Sequence, residues 1–285
     1  MSRVGIVILN YNDYQTTSKL LNKIHNYKYI NNIIVVDNNS SDNSYNELIK
    51  YKNKNIDIIK TDNNKGYSYG NNIGIKYLID NYKSDYIIIS NPDVSFEDND
   101  IKELISKLDN NKDIALIGPK VHEFNQVTRG WKLPTYLDEI LKIMSLDNKF
   151  RHDRYDDTCY KSDLTKVDVV SGCFFIIRTK IIKEINYFDE GTFLYYEENI
   201  LGHKLKDRGY HTYIDNTVSV IHNASISVDK SIKKINKYKI LIKSLMYYEY
   251  KYNKRRLSMI PLYIIYYICL LLINIKYRLI HRKSK

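Results

Sequence analysis

The sequence predicts an α/β protein with a mostly parallel central sheet flanked by helices. Three observations carry that prediction. Short β-branched runs recur through the first 120 residues, helical apolar spacing fills the gaps between them, and the runs are apolar on both faces, as parallel strands buried between two helical layers are. A chain of 285 residues can bury a sizeable core as one large domain or two small ones. With 44% hydrophobic and 27% charged residues it has ordinary globular composition, which excludes a disordered chain, a collagen and a polytopic membrane protein.

The predicted strands lie at residues 4–9, 33–37, 56–60, 85–90 and 114–118. Four helices fall between them. Their apolar faces are marked by Leu20, Leu21 and Ile24; by Tyr45, Leu48 and Ile49; by Ile73, Tyr77 and Leu78; and by Ile101, Leu104, Ile105 and Leu108. Residues 119–165 read as loop-rich, and 167–178 as one long β-rich run that contains Gly172. Residues 197–208 read as a helix stopped by Gly209. Residues 210–214 and 217–222 read as two short strands, and from about Ser231 a basic amphipathic helix takes over. No internal repeat is visible. The N-terminal MSRVGIVILNYN lacks the apolar run and cleavage site of a signal peptide and reads as a first strand.

The net charge of +11 is unevenly distributed. Residues 230–285 carry 15 Lys and Arg against one acid, Glu249, a net +14; residues 1–229 carry 29 basic and 32 acidic side chains, a net −3. A near-neutral body thus ends in a polycation, which suits anionic phospholipid or nucleic acid. Cys159, Cys173 and Cys269 are far apart and show no CxxC spacing, so neither a disulfide framework nor a zinc site follows. A reduced, cytoplasmic compartment fits.

In open α/β sheets ligands sit beyond the carboxyl ends of the strands. Here those ends read Asn10-Tyr11-Asn12, then Asp37-Asn38-Asn39-Ser40-Ser41-Asp42, then a loop from Asn63 through Gly66 to Asn72, then Asn91-Pro92-Asp93. Asn, Asp, Ser and Gly are also ordinary turn and cap residues. Four such loops on one edge favour a nucleotide or sugar site. The absence of GxGxxG and GxxxxGK[ST] disfavours a dinucleotide fold or a P-loop kinase. Asp93 could bind a divalent cation bridging a diphosphate, because Mg²⁺ and Mn²⁺ need few protein carboxylates once phosphates and waters complete the shell. Glu197 and Glu198 open a helix after two Tyr residues. One of them can serve as a general base whose pKa aromatic neighbours raise; helix periodicity leaves the choice open. His222 ends a strand as a metal ligand or a structural residue. Trp131, the only Trp, stacks on a sugar or packs.

Taken in order, these motifs resemble the family 2 glycosyltransferases of the GT-A fold, especially the rhamnosyltransferase-like branch of bacterial surface-polysaccharide synthesis. The resemblance spans about residues 3–225. It is carried by Val7 through Asn12, Val35 through Asp42, Asn64 through Asn72, Asn91-Pro92-Asp93-Val94, Ser171-Gly172-Cys173-Phe174-Phe175, Phe188-Asp189-Glu190, Tyr196-Glu197-Glu198 and His222.

The resemblance implies a GT-A domain over residues 1–229. Its nucleotide-sugar-binding half is 1–120 and its acceptor and catalytic half 121–229. It implies that Asp37 contacts the nucleobase, that Asn10 and Asn12 approach base and ribose, and that Asn39, Gly66 and Asn72 belong to the loops around the nucleotide. Asp93 is similar to the retained acid of a DxD-type motif, with Asn91 where the first acid would stand. His222 matches a late metal-site histidine, so Mn²⁺ or Mg²⁺ is the implied cofactor. Glu198 falls where the family has a catalytic Asp, and Glu197 where it has the preceding Glu. Trp131 and Gly172 are candidates for acceptor binding. The implied reaction is inverting, metal-dependent transfer of a sugar from dTDP-rhamnose or a UDP-hexose to a hydroxyl of a lipid-linked glycan in capsule, O-antigen or exopolysaccharide synthesis.

Residues 230–285 then read as a membrane-associating tail on the inner face of the cytoplasmic membrane. The apolar run at 259–273 falls short of the ~20 residues of a membrane span. Lys254, Arg255 and Arg256 precede it, and Lys276, Arg278, Arg282, Lys283 and Lys285 follow it, which suits a helix lying in the interface. A buried helix or a homodimer contact is the other reading of this run. A lipid-linked acceptor disfavours nucleic acid as the reason for the charge. Competing functions are a catalytically silent nucleotide-sugar-binding subunit, motivated by Asn91 and Glu198, and a sugar-phosphate nucleotidyltransferase, disfavoured because Asn10-Tyr11-Asn12 is no Gly-rich phosphate loop. A glycosidase is excluded, since adjacent carboxylates cannot flank one glycosidic bond from two sides.

Overall fold

The computed structural model describes residues 2–123, 126–144, 155–223 and 234–283. The expected domain boundary at 229/230 lies outside the described residues, as do Ala224, Ser225, Ser231 and the side chains of Lys276, Arg278, Arg282, Lys283 and Lys285.

The first half alternates as expected: β1 (Val4–Asn10), α1 (Tyr14–Ile24), β2 (Asn32–Asp37), α2 (Ser44–Leu48), β3 (Ile56–Lys60), α3 (Tyr67–Tyr77), β4 (Tyr86–Ser90), β5 (Val94–Ser95), α4 (Asp98–Asn110) and β6 (Ile114–Glu123). The second half holds β7 (Gln126–Thr128), α5 (Tyr136–Ile143), β8 (Leu164–Val167), β9 (Phe174–Arg178), α6 (Thr179–Glu184), α7 (Glu197–Asp207) and β10 (His211–His222). Two long helices close the chain, α8 (Lys234–Lys251) and α9 (Met259–Lys283).

One sheet runs through both halves in the order β3-β2-β1-β4-β9-β6-β10-β5, with β7 on β6 and β8 on β10. Strands β1 to β4 pair in parallel. Beyond them β9 runs antiparallel between β4 and β6, and β6 then pairs in parallel with β10, so the sheet is mostly parallel with antiparallel members. Helix α1 starts where Asp13 accepts from the Thr16 N–H and buries Leu20, Leu21 and Ile24. A reciprocal Glu97–Asp100 box opens α4, which buries Ile101, Leu104 and Leu108. These helices cover one face of the sheet; α3, α6 and α7 cover the other. A third cluster joins Ile143 of α5, Tyr196 and Ile200 to Leu245, Tyr248, Met259 and Leu262 of α8 and α9.

Three expectations are corrected. The described residues of 119–165 are not mainly loop: β6 continues to Glu123, and β7, α5 and β8 begin here. The run at 167–178 is two strands. Asp168 to Cys173 leave the sheet, and Trp131 and Val169 form an isolated bridge beside them. The two strands at 210–222 are one, β10, interrupted by a register shift between Asp215 and Ser219 where the Asp215 carboxylate accepts from the Thr217 N–H. The helix at 197–208 ends as expected, with Gly209 left-handed at φ 77°. Among the described residues no helix is long and apolar enough to cross a membrane.

Helix α3 lies close on β1 because its inner face has no side chains at two positions one turn apart. A Cβ on Gly70 would stand 2.3 Å from Leu9 Cδ1, and one on Gly74 2.5 Å from Val7 Cγ1. Gly74→Val forces α3 off the sheet. The expected outcome is a loss of about 1–3 kcal/mol in denaturant unfolding; an unchanged midpoint would mean that α3 moves freely.

Candidate active site

The carboxyl ends of β1, β2 and β4 open on a cleft of about 410 Å³. Its side at the ends of β1 and β2 is held together by Asp37. That buried carboxylate accepts from Asn10 Nδ2 at 2.8 Å, and from the N–H and Oγ of Ser40 at 3.1 and 2.5 Å. Asn10 Oδ1 in turn accepts from Thr17 Oγ1 at 2.8 Å. Asn12 and Asn39 both adopt left-handed φ, 53° and 57°, which asparagine tolerates. Asn12 Oδ1 accepts from the Ser41 N–H at 2.8 Å, locking the first loop to the second. Thus Asn10 and Asp37 stand under the cleft and shape it, while Tyr11 and Asn38 line it.

Asn38 Nδ2 donates to Asn64 Oδ1 and to the Gly66 carbonyl, both at 3.0 Å. Gly66 has φ 103°, and a Cβ there would stand 2.0 Å from the Phe193 carbonyl. The Asn72 amide is spent on the segment opposite: it donates to the Phe188 carbonyl and to Glu190 Oε1, and accepts from the Phe188 N–H. Asn72 therefore clamps α3 to residues 188–196, a strap that crosses the cleft and leads into α7.

A second corner forms where β5 pairs antiparallel with β10, setting His222 opposite Val94. His222 Nε2 lies 3.3 Å from Asp93 Oδ1, and His222 Nδ1 lies 3.5 Å from Glu123 Oε2. These are ion-pair distances without hydrogen-bond geometry: Asp93 Oδ1 and His222 Nδ1 are buried with no hydrogen-bond partner among the described residues. Burial pulls the His222 pKa down, but Asp93 and Glu123 outweigh it and raise the pKa overall. Asn91 lines the cleft beside them, its N–H bound to the Cys173 carbonyl at 2.8 Å. Among the described residues no group of three or more His, Cys, Asp or Glu is arranged to hold a metal by itself.

The carboxylate pair sits on the third side. Tyr195 and Tyr196 are consecutive left-handed residues, φ 71° and 70°, and this turn delivers Glu197 and Glu198 as the first residues of α7. Glu197 is 6% exposed and its Oε2 has no hydrogen-bond partner. Burial and then the charge of Glu198 raise its pKa well above the ordinary value. Glu198 is partly accessible. Burial raises its pKa too, opposed by backbone hydrogen bonds at its own position and at Gly172 and by Lys142. Gly172 leaves room for it, since a Cβ there would stand 2.7 Å from Glu198 Oε1. The Tyr67 hydroxyl donates to the Gly172 carbonyl at 2.7 Å, and burial, then Glu198 and Glu197, raise its pKa, so it stays a proton donor.

Trp131 stands apart from these lining groups. Its Nε1 donates to Asn199 Oδ1 at 2.8 Å, pinning residue 131 to α7. Glu123 and Tyr67 stand at the cleft with roles that the sequence reading did not give them. Glu123 was hidden by ending β6 at Gly118, and Tyr67 by treating the loop of Asn and Gly around it as the sole signal. The polar ending of a longer β6 would have pointed to Glu123.

The profile of Glycosyl transferase family 2 matches residues 5–186. The chain is 25% identical over 224 residues to the low-salt glycan biosynthesis hexosyltransferase Agl10 of Haloferax volcanii, covering 78% of this chain and 68% of that one. It is 25% identical over 166 residues to the rhamnosyltransferase WbbL of Escherichia coli K12, covering 56% and 61%. Among solved structures, Staphylococcus aureus TarS 1–349 superposes with a TM-score of 0.57 at 15% identity, over 93% of this chain and 78% of that one. GalNAc-T7, solved with UDP, GalNAc and Mn²⁺, gives 0.59 at 15% identity over 80% of this chain, which spans 44% of that structure. These likenesses establish the GT-A fold. With more than half of its length under the family's profile, the chain belongs to glycosyl transferase family 2.

Proposed function

We propose that the chain is an inverting glycosyltransferase that moves a sugar from a nucleotide-diphospho-sugar to a hydroxyl of a lipid-linked glycan. The observation that carries this reading is one cleft bordered by an asparagine-rich edge, by the Asp93–His222 corner and by the partly accessible carboxylate of Glu198. The two curated relatives are named as a hexosyltransferase and a rhamnosyltransferase, which supports dTDP-rhamnose or a UDP-hexose as donor. A bacterial capsule, O-antigen or exopolysaccharide is the product class we favour.

The pair of acids divides the work by environment. Glu197 is the more buried of the two, and its raised pKa favours the neutral form. Glu198 faces the cleft and takes the proton of the acceptor hydroxyl. The acceptor oxygen bonds to the anomeric carbon as the bond from that carbon to the diphosphate oxygen breaks, with inversion and no covalent enzyme intermediate. Asp93 and His222, whose buried Oδ1 and Nδ1 have no hydrogen-bond partner among the described residues, would hold a divalent cation that a diphosphate also binds. Mn²⁺ or Mg²⁺ there supplies neutralisation of the charge on the departing diphosphate. Structural relatives solved with Mn²⁺ support this choice.

The tail suits the lipid-linked acceptor. Its α9 buries Met259 and Leu262 and leaves Ile264, Tyr267, Ile268, Leu271 and Leu272 exposed. We assign that open face, within a segment of net +14, to the surface of an anionic membrane. A peripheral position on the inner face of the cytoplasmic membrane follows.

The two acids separate by mutation. Glu198→Gln should lower turnover about 10²–10⁴-fold with donor affinity preserved. Glu197→Gln replaces a neutral acid by a neutral amide and should keep most of the activity. Nucleoside diphosphate release measures both, and the opposite pattern would exchange their roles. The same assay against pH gives a second check. A base with a raised pKa is protonated sooner on acidification, so turnover should fall on an acid limb lying above pH 4.5, the ordinary glutamate value. A third check is a panel of UDP-, dTDP- and GDP-sugars with Mn²⁺ or Mg²⁺, with and without membrane lipid extract. One donor should be consumed, faster with lipid, and both EDTA and Asp93→Ala should suppress it. Metal-independent release would remove the cation from the scheme.

A further inference from the structure

A second cavity, about 710 Å³, lies between α8 and α9 and shares no lining residue with the active cleft. Its floor is apolar: Ile242, Met246 and Met259 are buried there. Its rim is cationic. Lys239 and Lys243 stand one turn apart on the same side of α8, and both are exposed. Neither has an ion-pair partner among the described residues, in contrast to Lys251, which pairs with Asp189. Arg256 completes the rim, its guanidinium 5.4 Å from the centre of the Tyr250 ring. Among the described residues no acid lines the groove. The one acid of the tail, Glu249, is buried and held by Arg255 and Asn253.

The groove also has an apolar outlet. Tyr263 lines it and belongs to the exposed face of α9 that continues through Ile264, Tyr267 and Ile268. A free phosphate would gain nothing from the floor, and a nucleic acid has no chain to lay along it. A cationic rim over an apolar floor that opens onto an apolar surface matches a phosphate headgroup carrying hydrocarbon.

We propose that the α8–α9 groove binds one anionic membrane phospholipid, its phosphate on Lys239, Lys243 and Arg256 and its chain over Met246, Met259 and Tyr263. This deepens, and rests on, the membrane reading of the tail. The site adjoins the catalytic strap, because Tyr247 lines the groove and its hydroxyl donates to Asp189 of the strap at 2.8 Å.

Monomeric lipid separates this site from general membrane attraction. Calorimetry of the full chain with short-chain phosphatidylglycerol, below its micelle concentration, should show saturable one-to-one binding. Lys239→Gln with Lys243→Gln should weaken it roughly tenfold or more. Ile264→Ser with Ile268→Ser, on the open face of α9, should leave it unchanged while lowering partition onto phosphatidylglycerol vesicles. The proposal is overturned if monomeric binding is absent or indifferent to the lysine pair, or if inorganic phosphate binds equally well. Tighter binding of farnesyl phosphate would overturn the choice of a phospholipid. Failure of the unaltered chain to bind vesicles, with monomeric binding intact, would instead sink the membrane reading and leave the groove standing.

Discussion

The strap at residues 188–196 has no regular secondary structure, so its backbone polar groups must find partners elsewhere. The cleft depends on where those partners are. On one side Asn72 exchanges hydrogen bonds with both backbone groups of Phe188, and the Tyr67 N–H donates to the Phe193 carbonyl. On the other side Ser244 of α8 donates to the Leu194 carbonyl. Asp189 is gripped by Tyr247, Lys251 and Tyr252 as well as by the Gly191 N–H. Burial alone would raise its pKa; these donors hold it down at about 2. The Tyr196 hydroxyl donates to buried Glu139 of α5. Helices from three distant parts of the sequence thus fix one short segment, and that segment aims both acids.

Placing two adjacent carboxyls under a strap is costly, because each charge loses water and repels the other. The start of a helix offsets part of this, since its free N–H groups favour negative charge. The remaining conflict is resolved unequally. Successive helical residues point about 100° apart, so the two side chains, which both line the cleft, are buried to different degrees. Glu197 is the more buried, and its Oε2 has no hydrogen-bond partner among the described residues. Glu198 takes the place opened by Gly172. The left-handed pair Tyr195–Tyr196 gives the chain the sharp turn this requires, and its strain is held by the burial of Tyr196 against Tyr248.

Strands β1 to β4 were legible because each is a short β-branched run buried on both faces, followed by polar turn residues. The split between β8 and β9 was not, since Val169, Val170 and Cys173 are as apolar as strand residues and are buried in the loop that joins them. Composition reports burial there, not conformation. The site shows the same division. Asp93, His222, Gly172 and the glutamate pair converge on one cleft. Asn10, Asp37 and Asn72 were visible as polar residues at strand ends and helix starts, but sequence could not show that their polar atoms bond to the protein itself. Glu123 reaches His222 only through the pairing of β10 with both β5 and β6, a long-range event with no local signature.

Helix α8 shows why a charge count is an incomplete description of the tail. Ser244, Tyr247 and Lys251 recur at three- and four-residue spacing and, with Tyr252 just past the helix end, face the strap. Lys239, Lys243 and Met246 lie along the groove shared with α9. Tyr247 belongs to both sets. A cation on the strap side acts through the Asp189 carboxylate; a cation on the groove side has no ion-pair partner among the described residues. The net positive charge is therefore two quantities of different kind. The first is neutralised inside the protein and stabilises the cleft. The second is left over, and it is the part available to anything outside the chain.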